Sequence, residues 1–343
     1  MNRDELLNRP VEHLRLEDTV TIADLFRAAH KMSFTMGELA RAADIYQRML
    51  KNRDCMVVLA LAGSTSAAGC MQVYIDMVKN NMVDVVVATG ASIVDMDFFE
   101  ALGFRHYLGT PDVDDAELRR NYVDRIYSVF IDEHELQACD AAIKEIADGL
   151  SPRAYSSQEF IWEMGRWLVT NPRLTKKRDS MVQVAHEKGV PIFCPAFSDS
   201  SAGLGLVPHQ LQRGRKCVAI DGVADFRRLT QLKIANPISG LFMIGGGVPK
   251  NFIQDTVVMA ELLGHKVPMH KYAVQVTVAD VRDGGCSSST LSEARSWGKV
   301  EENDAQMVYC EATLAVPLII AHVFHEKTWS GRREKRLADQ LLS

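Results

Sequence analysis

No stretch of this 343-residue chain is long and apolar enough to span a bilayer. The longest apolar run, Leu314 to Phe324, carries Pro317 and His322 and falls well short of the roughly 20 residues a spanning helix needs. Met1 to Leu16 is charged and holds no apolar segment of signal-peptide length, so a cytoplasmic protein without a membrane partner is expected. Charge of one sign is never concentrated. A net charge of −5 without a basic block argues against nucleic acid and mildly favours cationic ligands. The seven cysteines are odd in number and never spaced Cys-x-x-Cys, which points to reduced thiols rather than disulfides or zinc. His322 and His325 share a helix face without a third ligand, so no metal is expected. Also missing are Gly-x-Ser-x-Gly, Gly-x-x-x-x-Gly-Lys-Ser/Thr, and a Gly-x-Gly-x-x-Gly with an acid about twenty residues on. No internal repeat or low-complexity linker divides the chain.

What is present is alternation. At 47% apolar residues a large core is possible. Cys55–Ala62 reads as a buried parallel strand, followed by the loop Gly63–Gly69 and a helix to about Asn80. Val83–Ala88 repeats the pattern, with Thr89–Ser92 and a helix near Val94–Leu102. Further strands are expected at Arg125–Ile131, Pro191–Ala196, Lys216–Ile220, Ile238–Ile244 and Tyr272–Val278. Helices are expected at Asp132–Leu150, Ser157–Thr170, Arg178–Lys188, Asp225–Ala235, Lys250–Leu263 and Thr313–Glu326. Gly109–Asn121 and Gln210–Lys216 read as surface loops. This is the sequence form of an α/β, doubly wound, mostly parallel sheet with helices on both faces. A single domain over 1–343 is expected, with residues 1–50 as an N-terminal helical extension.

In such sheets ligands bind beyond the carboxyl ends of the strands. Four small-residue loops leave strands here: Gly63–Gly69, Thr89–Ser92, Gly245-Gly246-Gly247 and Asp283–Ser289. Glycine lets backbone approach a phosphate, and the helix N-termini beyond favour anions. Together they point to a nucleotide-type cofactor. Asp199, Asp221, Asp255, Asp283, Glu293 and Glu311 are the acidic candidates for polyamine ammonium groups or ribose hydroxyls. Asp199 stands out because it follows a buried strand directly. Each also has an ordinary alternative as a helix cap or ion-pair partner.

Trp297-Gly298-Lys299 follows Ser292–Ser296 and a small-residue loop. A lysine beside an indole is a candidate for imine chemistry, because its amine must be neutral to attack carbon and a poorly hydrated wall disfavours ammonium. The alternative is a solvated lysine ending a helix.

Asn81–Val87, Pro195–Asp199, Ile244–Val248, Asp283-Gly284, Glu293 with Ser296–Val300, and Val308–Ala312 together resemble the deoxyhypusine synthase family, over roughly residues 20 to 330. The resemblance implies a Rossmann-like domain with bound NAD, assembled as a homotetramer with active sites between two subunits. It implies that Lys299 is catalytic, taking an aminobutyl group from spermidine as an imine and passing it to an acceptor amine. Trp297 would wall the polyamine methylenes, and Asp199 and Glu293 would hold its cationic ends. Ser66, Thr89, Gly246, Gly247, Ala279, Asp283, Gly284 and Glu311 would line the cofactor.

The chain departs from the pattern of hypusine-forming enzymes around the polyamine. Asn251 and Asp255 stand where those enzymes carry His and Asn. Cys286, next to Ser287, stands where they carry an acid. The Thr-Ala-Gly-Gly-Val-Glu-Glu segment is here Thr89–Asp95. A retained lysine with recast surroundings, which include Asn251, Asp255, Cys286 and Ser287 as substrate-binding candidates, suits a changed donor or acceptor. Homospermidine synthesis from putrescine or spermidine is the expected version. Modification of a translation-factor lysine, a non-catalytic NAD- or polyamine-binding sensor, and a plain dehydrogenase are its rivals.

Overall fold

The computed structural model describes residues 2–3, 7–175, 177–285 and 288–342. At its centre lie β1 (Met56–Leu61), β2 (Val85–Ala88), β3 (Ile192–Phe193), β4 (Ser239–Ile244), β5 (Tyr272–Thr277) and β6 (Ala305–Tyr309). They form one sheet in the order β6-β5-β4-β1-β2-β3, with every pairing parallel. This is the doubly wound dinucleotide-binding order, and its direction of winding reverses between β1 and β4. The expected α/β, Rossmann-like fold is the one observed.

Strand sequences such as Met-Val-Val-Leu-Ala-Leu are apolar at every position because both faces of the sheet are covered. Side chains alternate between the faces. Val57, Leu59 and Leu61 join a core with Tyr74, Phe98 and Ile319. Met56, Val58 and Ala60 join a second core with Leu232, Ile253 and Ala294.

The N-terminal helices pack on the sheet. Helix Phe34–Lys51 covers the first face, where the Tyr46 ring lies 4.8 Å from that of Phe242 and its hydroxyl donates to Met82 O at 2.9 Å. At the other end of the chain, the Arg332 guanidinium donates to Asn81 O at 2.8 Å and pairs with buried Asp84 at 2.6 Å. Asp84 in turn accepts from Val57 N. The tail is thereby tied to the amino ends of β1 and β2.

Four expectations need correction. Arg125–Ile131 is not one strand but an antiparallel hairpin, Val123–Ile126 against Val129–Asp132, turning through Tyr127 at φ 50°. Lys216–Ile220 keeps only Ala219–Ile220, which pairs with Ala154–Tyr155 outside the main sheet. Within Gly109–Asn121, Asp114 accepts from Ala116 N and starts a helix, Asp115–Arg120, with acids in its first turn and arginines in its last. Helix Ser201–Arg213 runs through the first half of the expected loop Gln210–Lys216.

Candidate functional site

A wholly parallel sheet sends all six strands to one rim. There Ala62 N donates to Ile244 O at 3.1 Å and Gly245 N to Val276 O at 2.8 Å, so β1, β4 and β5 end in step beside the crevice. Gly245 has φ +75°, and a Cβ there would stand 3.3 Å from that of Ala62. Gly246 caps helix Gly247–Leu262, and Gly247 has φ +65° and accepts from Ser288 Oγ. Across the crevice Ser66 is buried, and its hydroxyl has no partner among the described residues. Thr89 Oγ1 lies 3.1 Å from Ser92 Oγ, which donates to Gly63 O at 2.9 Å. After β5, Ala279 N donates to Thr277 Oγ1, Asp283 accepts from Gly285 N, and Gly284 has φ +74°. After β6, Glu311 caps helix Ala312–His325 by accepting from Leu314 N. The cofactor-lining candidates therefore share one rim. Buried hydroxyl, left-handed glycines and open helix N-termini suit a dinucleotide.

Lys299 lies on the second face of the sheet. The capping box Thr290/Glu293 starts helix Leu291–Ser296, with Thr290 N donating to Glu293 Oε2 at 2.6 Å. Gly298, at φ +67°, then turns the chain back so that Lys299 N reaches Ala294 O. Lys299 O accepts from His270 N just before β5, which anchors the turn to the sheet. Lys299 is buried, and its Nζ pairs with Asp255 Oδ1 at 2.6 Å and stands 5.1 Å from the Trp297 ring centroid. The indole is itself 64% exposed, so it walls one side only. The expected neutral, indole-shielded amine is corrected to an ion pair with Asp255. That carboxylate, half open to solvent, borders an apolar groove of about 420 Å³ with Asn251, Phe252, Phe226 and Val223. Cys286 and Ser287 lie outside the described residues.

Asp199 is exposed after β3, and its side chain makes no hydrogen bond among the described residues. It belongs to a carboxylate group with Asp95 and Asp140. Burial first, then these two neighbouring charges, push Asp95 up to about 6, although Ser201 N donates to it at 2.7 Å. β3 and β6 are opposite edges of the sheet. Phe197 and Ala202, on either side of Asp199, join the first core, whereas Ala294 and Val300, on either side of Lys299, join the second. One chain brings Lys299, Trp297, Asp255, Asn251 and Glu293 to one side and leaves Asp199 at the other.

Sequence reasoning missed Lys250. It is buried, donates to Gln275 Oε1 at 2.8 Å and to Ser289 O, and thereby ties the helix after the triple glycine to β5 and the loop before Thr290. Burial first, then the charge of Lys299, lower its amine to about 8, against the pull of Glu293. A signal was available, because a lysine in the first turn of a helix opposes the helix dipole. The acid Asp221, by contrast, is a helix cap that accepts from Val223 N and Ala224 N. His322 stacks on Phe26 at 4.3 Å, and no cluster able to hold a metal occurs among the described residues.

Comparison with known proteins places these features. The sequence model for deoxyhypusine synthase matches residues 24–323. The "Deoxyhypusine synthase-like protein" of Caulobacter vibrioides is 60% identical over 97% of this chain and 90% of its own length. That of Coxiella burnetii (strain RSA 493) is 56% identical over 99% of this chain and 96% of its own. "Probable deoxyhypusine synthase 2" of Methanosarcina mazei is 38% identical over 97% and 94%. In structure the chain is similar to an Entamoeba histolytica protein that carries the deoxyhypusine synthase name. The TM-score is 0.63 at 17% identity, covering 94% of this chain and 99% of that one, a likeness of fold.

Proposed function

Since this chain belongs to the deoxyhypusine synthase family, we propose that it is an NAD-dependent aminobutyltransferase acting on spermidine or a related polyamine, with a small amine as acceptor. The carrying observation is the Lys299 amine, buried, held 2.6 Å from Asp255 and flanked by Trp297. Binding alone does not need a buried nucleophile beside a proton acceptor.

NAD would be held by Ser66, Thr89, Gly246, Gly247, Ala279, Asp283, Gly284 and Glu311, and when bound it supplies a reversible hydride acceptor beside the polyamine's secondary amine. Lys299 first gives its proton to Asp255 and then attacks the electrophilic carbon, retaining the four-carbon fragment as 1,3-diaminopropane leaves. The acceptor amine displaces Lys299, which regains its proton, and the hydride removed at the outset would be returned to the new carbon–nitrogen double bond, so the product is a saturated amine and the cofactor ends as it began. Trp297 lies against the methylenes, and Asp199 and Glu293 hold ammonium ends through charge-assisted hydrogen bonds. Asn251 and Asp255, at the groove, meet the acceptor. Cys286 and Ser287 are assigned to the same substrate side on sequence alone. Because the surroundings of Asp199 and of Lys299 pack on opposite faces of the sheet, each site takes Lys299 from one copy and Asp199 from another, in a cytoplasmic homotetramer.

The test supplies NAD, spermidine labelled in its aminobutyl part, and either putrescine or a translation-factor protein. Label is expected in homospermidine, and Lys299→Ala is expected to abolish transfer while NAD affinity stays within about twofold. Label in the protein alone would make this a protein-modifying enzyme. Net NADH accumulation without transfer would make it a dehydrogenase, and no labelled product with any amine would leave a binding protein.

A further inference from the structure

On the first face of the sheet, opposite Lys299, a cavity of about 680 Å³ opens between the loop after β1 and the segments around residues 105 and 178. Its rim carries Arg105, His106, Lys177 and Arg178 against only Glu100 and Asp179. Glu100 is already engaged, accepting from Arg178 at 3.2 Å and lying 2.8 Å from His106 Nδ1. The Arg105 side chain has no hydrogen-bond or ion-pair partner among the described residues, and Lys177 Nζ donates only to Leu168 O at 3.2 Å. The balance of charge facing this space is positive.

Two wall residues hold polar atoms that nothing satisfies. Ser66 is 2% exposed and its Oγ has no partner among the described residues. The His106 side chain is 4% exposed, and its Nε2 likewise has none. Buried polar groups without partners cost stability unless something fills the role. Helix Met71–Lys79 also begins at this wall without a side-chain cap, adding the positive end of its dipole. A hydroxyl, an imidazole, two cations without an ion-pair partner among the described residues and an uncapped helix end share one complement, an oxyanion with several acceptor oxygens.

We infer that this cavity binds a phosphate group. The inference shares Ser66 with the proposed cofactor site and is otherwise separate from the transfer chemistry, since Lys299 and Asp255 lie on the other face. The phosphate has two sources, a separate phosphate-bearing metabolite or the 2′-phosphate of NADP reaching over from the rim through the Ser66 loop.

Calorimetric titration of the full chain with inorganic phosphate, at an ionic strength held constant with chloride, tests it. One saturable site per chain is expected, weakened at least tenfold in Arg105→Gln/Lys177→Gln, whose changed side chains are exposed. Absence of saturable heat beyond the chloride control overturns the inference, as does equal affinity in the double variant. NAD and NADP separate the sources. If NADP binds more tightly than NAD, displaces phosphate, and loses its advantage in the double variant, the group is the cofactor's own. If phosphate still binds at saturating NAD and NADP, it belongs to another molecule. Lys299→Ala should bind phosphate like the parent chain, so failure here and failure of the transferase reading are separately visible.

Discussion

At the scale of single residues, the two buried lysines near Asp255 and Gln275 divide the work. Lys299 sits against a carboxylate, whereas Lys250 sits among neutral oxygens, where burial lowers its amine. An amine lowered from 10.5 to about 8 means that, between those two values, the unfolded chain binds a proton the folded chain does not. Stability therefore rises with pH across that window as the penalty is relieved, and below pH 8 the penalty is fully present. Lys250→Met removes this titration and takes the lysine donor from Gln275 Oε1 and Ser289 O at all pH values. Urea unfolding of both proteins from pH 7.5 to 10.5 should therefore show the parent gaining on the variant as pH rises. A constant difference would mean that Lys250 is not held against its burial. The same residue explains a gap in the sequence reading. Lys299 is conspicuous beside an indole, while Lys250 reads as an ordinary polar residue until the helix boundary is known.

At the scale of elements, legibility followed periodicity. Helix Ser157–Thr170 matches the expectation at both ends, because Ser156 and Glu159 form a capping box and the apolar face is regular. β4 and β5 were equally plain as apolar runs. Arg125–Ile131 misled because an apolar run of strand length does not reveal a turn inside it, and Tyr127 supplies that turn without glycine. β6 went unread because Ala-Gln-Met-Val-Tyr is half polar, as an edge strand can be. The turn that delivers Lys299 depends on one glycine. A Cβ at Gly298 meets open space, so Gly298→Ala adds no clash, only the cost of a left-handed backbone. That cost is about 1–2 kcal/mol. The variant should lose about that much stability in urea unfolding and several-fold in kcat, because Lys299 N no longer holds Ala294 O in register. Its NAD affinity should match the parent's, since the rim is built by other loops. Unchanged kcat would show that the turn does not aim the lysine.

At the scale of the whole molecule, the strand order decides what one chain can do alone. The sequence named Lys299 and Asp199 as partners, yet nothing in a linear string says that their strands become opposite edges. Edge order is set by crossovers, which periodicity does not encode. With the surroundings of Asp199 on the first face and those of Lys299 on the second, the proposed site joins them by assembly. The groove beside Asp255 favours the same answer, since Val223 and Val248 on its walls are 80% and 51% exposed in a single chain. Apolar surface of this kind suits the proposed interface. Co-expression of Lys299→Ala with Asp199→Arg, each carrying a different affinity tag, tests the division directly. Each variant alone should be inactive. In mixed assemblies one site collects both changes and its symmetry mate collects neither, so two-tag purified protein should regain activity. With random pairing across a two-fold interface the unselected mixture should reach roughly a quarter of parental activity. Mixed assemblies that stay inactive would place both residues in one chain's site, and an active Asp199→Arg assembly would remove Asp199 from the site altogether.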